Sequence, residues 1–304
     1  MRISRKTYLV NEKSIHEYYD QKDKLIQVLT YLARQGKFVF RGYTKQDQLL
    51  PNIIRDKDLS KHERFFLNEF EKYGSHYFVA SNSMDFLSYA QHYGLPTRLL
   101  DFTYNPFIAL SFALFANKGP NYKESEDRDY YYLRFCDLSE SITVKAFPVW
   151  RGVDFGEFES NSISDQCYHF INDAARYLSS SAIRLSHEYL QGLFQCDYQT
   201  KLSAEEYTEM LKSKISLGRL CFMDTNQSNQ RIIMQQGLFM LPLSLNSDEH
   251  LRLIKKNTFS IKIHKSIRGE LLEYLDTLGY NTFRLMPDLP NVCAAITQRV
   301  QDRV

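Results

Sequence analysis

The stretch YAQHYGLPTRLLDFTYNPFIALSFA, residues 89–113, decides the reading of the fold. Its first residues close a helix. Asn82 or Ser83 is a suitable cap, Phe86, Leu87, Ala90 and Tyr93 recur at helical spacing, and Gly94 then Pro96 supply a left-handed exit and a residue that cannot continue the helix. Its last residues open another helix, with Asn105 as N-cap and Pro106 at the first helical position, where a missing N–H is harmless. From Phe107 to Ala116 that helix is apolar on nearly every side, which predicts a path through the centre of the core. Between the two, LPTRLLDFTY reads as a loop boxed in by core helices and carrying Arg98 and Asp101.

Working outward, residues 14–35 place Ile15, Tyr18, Tyr19, Leu25, Ile26, Leu29 and Leu32 at helical intervals, so residues 1–35 are expected to form an N-terminal helical segment. Gly36 stops it, and KFVFRG then reads as a strand that delivers Arg41 and Gly42 to its far edge. Ser60 and Glu63 have capping-box spacing ahead of a helix with an aromatic face of Phe65, Phe66, Phe70 and Tyr73. Downstream, YYYLRF, LGRLCFM, GLFMLPL and TFSIKIHK read as strands, the last with strict alternation. Two helices end the chain, one closing at Gly279 and one over about 288–300. Residues 150–216 show weaker helical periodicity and read as a helical insertion. No internal repeat is evident, so the expected class is α+β, one domain over about 36–300 with that insertion.

Composition narrows the function classes. The chain has 304 residues, 38 Lys plus Arg against 36 Asp plus Glu, and a net charge of +2, so no strong basic field points to nucleic acid. Five cysteines are scattered without C-x-x-C spacing, which argues against a disulfide framework or a zinc site. No apolar leader stands at the start, and the longest apolar run, Phe107 to Ala116, is far shorter than the ~20 residues a bilayer requires. The expectation is a cytoplasmic protein without membrane contact. P-loop, G-x-G-x-x-G, H-E-x-x-H and G-x-S-x-G signatures are all missing.

Charged residues in such a frame need a partner, because an isolated buried ion is very unfavourable. Arg98 and Asp101 therefore either pair with each other or meet a ligand. His92 stands at a helix C-terminus, where the dipole favours its protonated form. Arg41, at a strand edge beside a glycine, either forms a surface ion pair or presents its planar fork to phosphate or carboxylate. The QRIIMQQG stretch gathers Gln230, Arg231, Gln235 and Gln236 before Gly237; glutamine offers hydrogen bonds there but neither charge nor proton.

Several segments resemble, in order, the motifs of the FRG domain family: FRG at 40–42, LLPNIIR at 49–55, AQHYGLPTRLLDFTYNPFIALSFA at 90–113, RIIMQQGLF at 231–239 and FRLMPDLP at 283–290. That family is grouped by remote similarity with the ADP-ribosyltransferase fold. The resemblance implies a split, mostly antiparallel sheet with packed helices and NAD bound in a cleft. Arg41, Gln235 and Asp101 would then be the catalytic group, and Arg41, Gly42, His92, Thr97, Arg98, Arg231 and Gln236 the cofactor-binding set. The implied activity is mono-ADP-ribosyl transfer or NAD glycohydrolysis by an intracellular toxin or phage-defence effector, with a protein or nucleic-acid acceptor left open.

One departure stands against that activity: no E-x-E or Q-x-E occurs around Gln235 and Gln236. Cleavage of the nicotinamide glycosidic bond passes through an oxocarbenium-like state that a carboxylate stabilises. Asp101 would have to supply that charge from the opposite wall, held ionised by Arg98. The alternative is a non-catalytic nucleotide-sensing or protein-interaction module that keeps the cleft without the chemistry.

Overall fold

The structure, a computed structural model, describes residues 7–10, 13–78, 80, 83–115, 129–145, 218–224, 230–242 and 244–301. The expected helical insertion at about 150–216 lies outside the described residues. A hairpin of β1 (Thr7–Val10) and β2 (Lys13–His16) precedes β3 (Tyr18–Tyr19), α1 (Lys22–Arg34) and β4 (Phe38–Tyr43). Then come α2 (Asn52–Arg55), α3 (Glu63–Gly74), α4 (Ser83–His92), β5 (Leu100–Thr103) and α5 (Pro106–Phe115). Strands β6 (Tyr130–Asp137), β7 (Ile142–Lys145) and β8 (Cys221–Asp224) lead to α6 (Gln230–Gln235) and β9 (Gly237–Met240). The order ends with α7 (Ser247–Asn257), β10 (Phe259–His264), α8 (Arg268–Thr277), α9 (Thr282–Leu285) and α10 (Leu289–Gln301).

Eight strands form one open sheet in the order β3-β10-β6-β4-β5-β9-β8-β7, antiparallel except at its two outer pairs, β3 with β10 and β7 with β8. The expected α+β class with a mostly antiparallel sheet is what the chain adopts. At its middle the sheet is barely joined. Strand β4 makes six registered pairs with β6 but only one with β5, Phe40 opposite Thr103, so the end of β4 that bears Arg41 and Gly42 parts from β5.

The two-residue period of β4 explains what it presents. Phe38 and Phe40 enter one core with α1, α5 and α8, built on Leu29, Leu110, Leu133, Phe135, Ile263 and Leu271. Val39 and Tyr43 enter a second core on the opposite face with Leu100, Phe102, Phe222, Leu238 and Ile254. Gly42 therefore faces α5, and Arg41 faces the second layer. Helix α5 follows its sequence closely: Asn105 Oδ1 accepts from the N–H groups of Phe107 at 2.9 Å and Ile108 at 3.4 Å, and Ile108, Ala109, Leu110 and Ala113 are fully buried.

Five expectations give way. The helix expected from residue 14 begins at Lys22; before it, Ile15 is buried between exposed neighbours in β2, and Lys262 pairs with Tyr18 in the main sheet. No capping box forms at Ser60, whose hydroxyl donates to Lys57 O at 2.9 Å while Glu63 turns inward. The aromatic face of α3 is only partly inward, since Phe70 packs edge-on against buried Phe86 and Leu67 is buried while Phe65 and Tyr73 are exposed. Tyr93 is likewise exposed. The loop expected at 95–104 contains β5, a central strand held by four registered pairs with β9.

Candidate functional site

The parting of β4 from β5 opens a cavity of about 320 Å³ between β4, β5, α4, α5 and the α6–β9 turn. Arg41, Gly42, His92, Asp101, Arg231 and Gln235 all line it, so the strand that ends in FRG, the central motif and the QRIIMQQG stretch converge on one hollow. Its lining combines the buried apolar residues Phe40, Phe102, Ala109 and Leu238 with three arginines, Arg41, Arg55 and Arg231. Asp101 is the one carboxylate among the described lining residues.

Arg41 is no surface ion pair. Only 13% of its side chain is exposed, and it holds main-chain oxygens: Nε and Nη2 donate to Gln48 O at 3.2 and 2.7 Å, and Nη1 donates to Asp101 O at 2.6 Å. It thereby ties the 44–48 turn and β5 to the loosened end of β4. Burial pulls its pKa down to about 10, with Asp101 opposing, which leaves the guanidinium charged at neutral pH. The turn is fixed from within as well, because Gln48 Oε1 accepts from Thr44 N at 2.7 Å, and from beneath, because His250 Nε2 meets Leu49 O at 2.8 Å.

The carboxylate of Asp101 is 57% exposed, with Oδ2 at 4.0 Å from Arg41 Nη1 and accepting from Gln91 Nε2 at 3.3 Å. Gln91 is a hinge of the wall: its Nε2 also donates to Leu99 O at 3.4 Å, and its Oε1 accepts the Thr97 hydroxyl. Gln235 donates Nε2 to Leu285 O at 2.8 Å, and its main-chain oxygen accepts from Thr103 Oγ1 at 2.7 Å. With its nitrogen so engaged, the Gln235 side chain has its oxygen as an acceptor at the cavity wall.

Three expected site residues do not line the cavity. Arg98 does not pair with Asp101; it lies buried against Glu63, Nε donating to Oε1 at 2.7 Å and Nη2 to Oε2. Asp101 accordingly has Arg41, not Arg98, as its cationic neighbour. Thr97 is fully buried behind Gln91 and accepts from Leu99 N at 3.2 Å. Gln236 is exposed in a left-handed turn with φ 45°, where its main-chain oxygen accepts from Tyr104 N at 3.0 Å. In their place the cavity uses Gln48, Arg55, Ser88 and Gln91. Ser88, Gln91 and His92 stand at i, i+3 and i+4 on α4, a shared face that their spacing alone could have disclosed.

The helix dipole does not decide the charge of His92. Burial lowers its pKa and Arg231 lowers it further, against a smaller pull upward from Asp288. Burial also lowers His250, helped by Arg41 and opposed by the bond to Leu49. The unfolded chain thus binds protons below about pH 6.5 that the folded chain resists, and stability is expected to fall as pH drops through that range. At the other end, burial raises the thiols of Cys136 and Cys221, the latter to about 12. The unfolded chain then loses protons above about pH 8.5 that the native state keeps, and stability falls again. Urea titrations from about pH 5 to 10 are expected to peak between those limits; stability that keeps rising toward pH 5 contradicts this account.

No helix among the described residues is long and apolar enough to cross a membrane. Compared with known families, residues 36–121 match the FRG domain, a span that runs from the start of β4 past α5 and so contributes Arg41, Gly42, Arg55, Ser88, Gln91 and Asp101 to the cavity. No curated protein and no solved structure matches the chain.

Proposed function

Residues 36–121 being an FRG domain, we propose that the chain binds a phosphate-bearing nucleotide in the cavity they open, with NAD as the first candidate. The observation that carries this reading is the charge of the lining: among the described residues, three guanidiniums and one carboxylate beside apolar side chains. Clefts lined by one sign of charge concentrate ligands of the other, and arginine forks suit phosphate oxygens. A volume of about 320 Å³ is at the small end of ligand sites, which run from roughly 300 to 1,000 Å³. One nucleotide half would occupy the hollow, its phosphates on Arg41, Arg55 and Arg231.

The same residues suit cleavage of the nicotinamide glycosidic bond. Water or an acceptor nucleophile would displace nicotinamide from the ribose C1′, giving ADP-ribose or its conjugate. The Asp101 carboxylate would stabilise the oxocarbenium-like state, and Gln235 Oε1 would accept from a ribose hydroxyl. An effector that depletes cellular NAD, as in a toxin or phage defence, is the role that turnover would support. A sensing role without turnover is favoured by one observation, that Asp101 is the single carboxylate on the wall and faces solvent over half its surface.

The test is calorimetric titration with NAD beside a chromatographic measure of nicotinamide, for the parent chain, Arg231→Gln and Asp101→Asn. A charge-assisted hydrogen bond is worth about 1.5–3 kcal/mol, so Arg231→Gln is expected to weaken binding by roughly ten- to a hundredfold. Nicotinamide release that Asp101→Asn removes supports the enzyme. Binding without release supports the sensor, and no binding by the parent chain overturns the proposal.

A further inference from the structure

The least explained polar atom in the cavity is the hydroxyl of Ser88. This residue lines the hollow, is 1% exposed, and its Oγ has no hydrogen-bond partner. A serine inside a helix ordinarily returns its hydroxyl to the carbonyl four residues back. Ser111 in α5 does so, donating to Phe107 O at 2.9 Å and also contacting Tyr280 O at 3.1 Å. Thr103, another buried hydroxyl on the wall, donates to Gln235 O and accepts from Asn105 N at 3.0 Å. Ser88 is therefore an exception among hydroxyls of the same cavity and the same core, and buried polar groups left without partners are rare enough to require a reason.

Its neighbours do not supply one. On the cavity face of α4, Gln91 has both ends of its amide engaged, the oxygen by Thr97 and the nitrogen by Leu99 O and Asp101 Oδ2. Arg41 spends three donors on main-chain oxygens. Among the lining residues Ser88 thus offers a buried neutral hydroxyl, able both to donate and to accept, to whatever enters.

Resting on the nucleotide reading of this site, we infer that Ser88 is a specificity-determining contact: its hydroxyl pairs with an uncharged hydroxyl or carboxamide of the ligand whose phosphates lie on the arginines. A free hydroxyl that both donates and accepts suits either group. The ligand class is thus a phosphate ester with a neutral polar end, not a bare anion. Ligand entry would complete the bond that the chain itself leaves open.

Ser88→Ala tests this, because it removes the hydroxyl and leaves the helix a better former. Three readings are taken from the parent and the variant: the melting temperature without ligand, and the affinities for NAD and for inorganic pyrophosphate by calorimetry. The expected result is an unchanged or raised melting temperature, pyrophosphate affinity unchanged, and NAD affinity reduced about tenfold, the size of one lost hydrogen bond. A lowered melting temperature would mean that the hydroxyl serves the fold, and overturns the inference. Equal NAD affinity in both proteins overturns it while leaving nucleotide binding intact. Parent protein that binds pyrophosphate but not NAD overturns the ligand class, and parent protein that binds neither overturns the reading of the site itself.

Discussion

Gly42→Ala is expected to leave little or no folded protein. A methyl group built at that position would lie 1.8 Å from the carbonyl oxygen of Ala109, 2.7 Å from the nitrogen of Ala113 and 2.9 Å from the carbon of Ala109. All three are main-chain atoms of α5, so no rotamer change can make room. Helix α5 cannot retreat as a body either, because its other sides are packed against α1 and α8 in the main core. Overpacking that flexible side chains absorb costs about 1–3 kcal/mol. With backbone against backbone, the cost is expected to exceed about 4 kcal/mol, a large part of the ~5–15 kcal/mol that stabilises a typical domain. Gly269→Ala is the control. It lies in the first turn of α8 with nothing within 4 Å of the new methyl, and the gain in helix propensity is expected to stabilise by roughly 0.5–1 kcal/mol. Urea denaturation of both variants measures the contrast. A Gly42→Ala midpoint near that of the parent would show that α5 does not cross β4 as closely as described.

That close crossing also explains which parts of the fold the sequence discloses. Strand β4 and helix α5 announce themselves because their signals are local: an apolar run that follows the helix stop at Gly36, and an Asn-Pro start followed by ten residues with little polarity. Gly94, with φ 90°, ends α4 as its position before Pro96 suggests. Strand β5 is silent because four residues are too few to show a period, and it exists through pairing with β9, far along the chain. The first turn of α3 fails for a related reason. Glu63 has the spacing of a capping residue, yet its carboxylate is claimed by an arginine 35 residues away, and long-range pairing of that kind leaves no mark on local pattern.

The site divides the same way. Arg41, Gly42, Asp101, His92, Arg231 and Gln235 share the cavity because motif residues at the ends of strands and helices converge where β4 and β5 part. Within the central motif, however, burial separates residues that the sequence places side by side. Asp101 opens to the cavity, while Thr97 and Arg98 lie inside the wall and hold it up. A motif shows which residues belong together, and the partners each side chain finds elsewhere in the fold decide which of them reach a ligand.

The wall itself yields the last expectation. Arg98→Ala and Glu63→Ala are each expected to cost about 3–5 kcal/mol, because each leaves the other charge buried and alone. Both side chains are almost wholly buried and meet through two hydrogen bonds, so neither can turn to water without parting the start of α3 from the segment that leads into β5. The pair joins the start of α3 to the residue after Thr97, whose hydroxyl holds Gln91, which in turn holds Asp101. Loss of the pair should therefore reach the cavity as well as the melting curve. A double-mutant cycle isolates the coupling: Arg98→Ala with Glu63→Ala should cost much less than the two single changes added together, since the second removal takes away an orphaned charge. Replacement of both by apolar side chains of similar length, Arg98→Met with Glu63→Leu, is expected to recover most of the loss, because a buried ion pair gains little over good apolar packing. Additive single costs would mean that the two charges answer to different partners, and the wall behind Asp101 would then need another support.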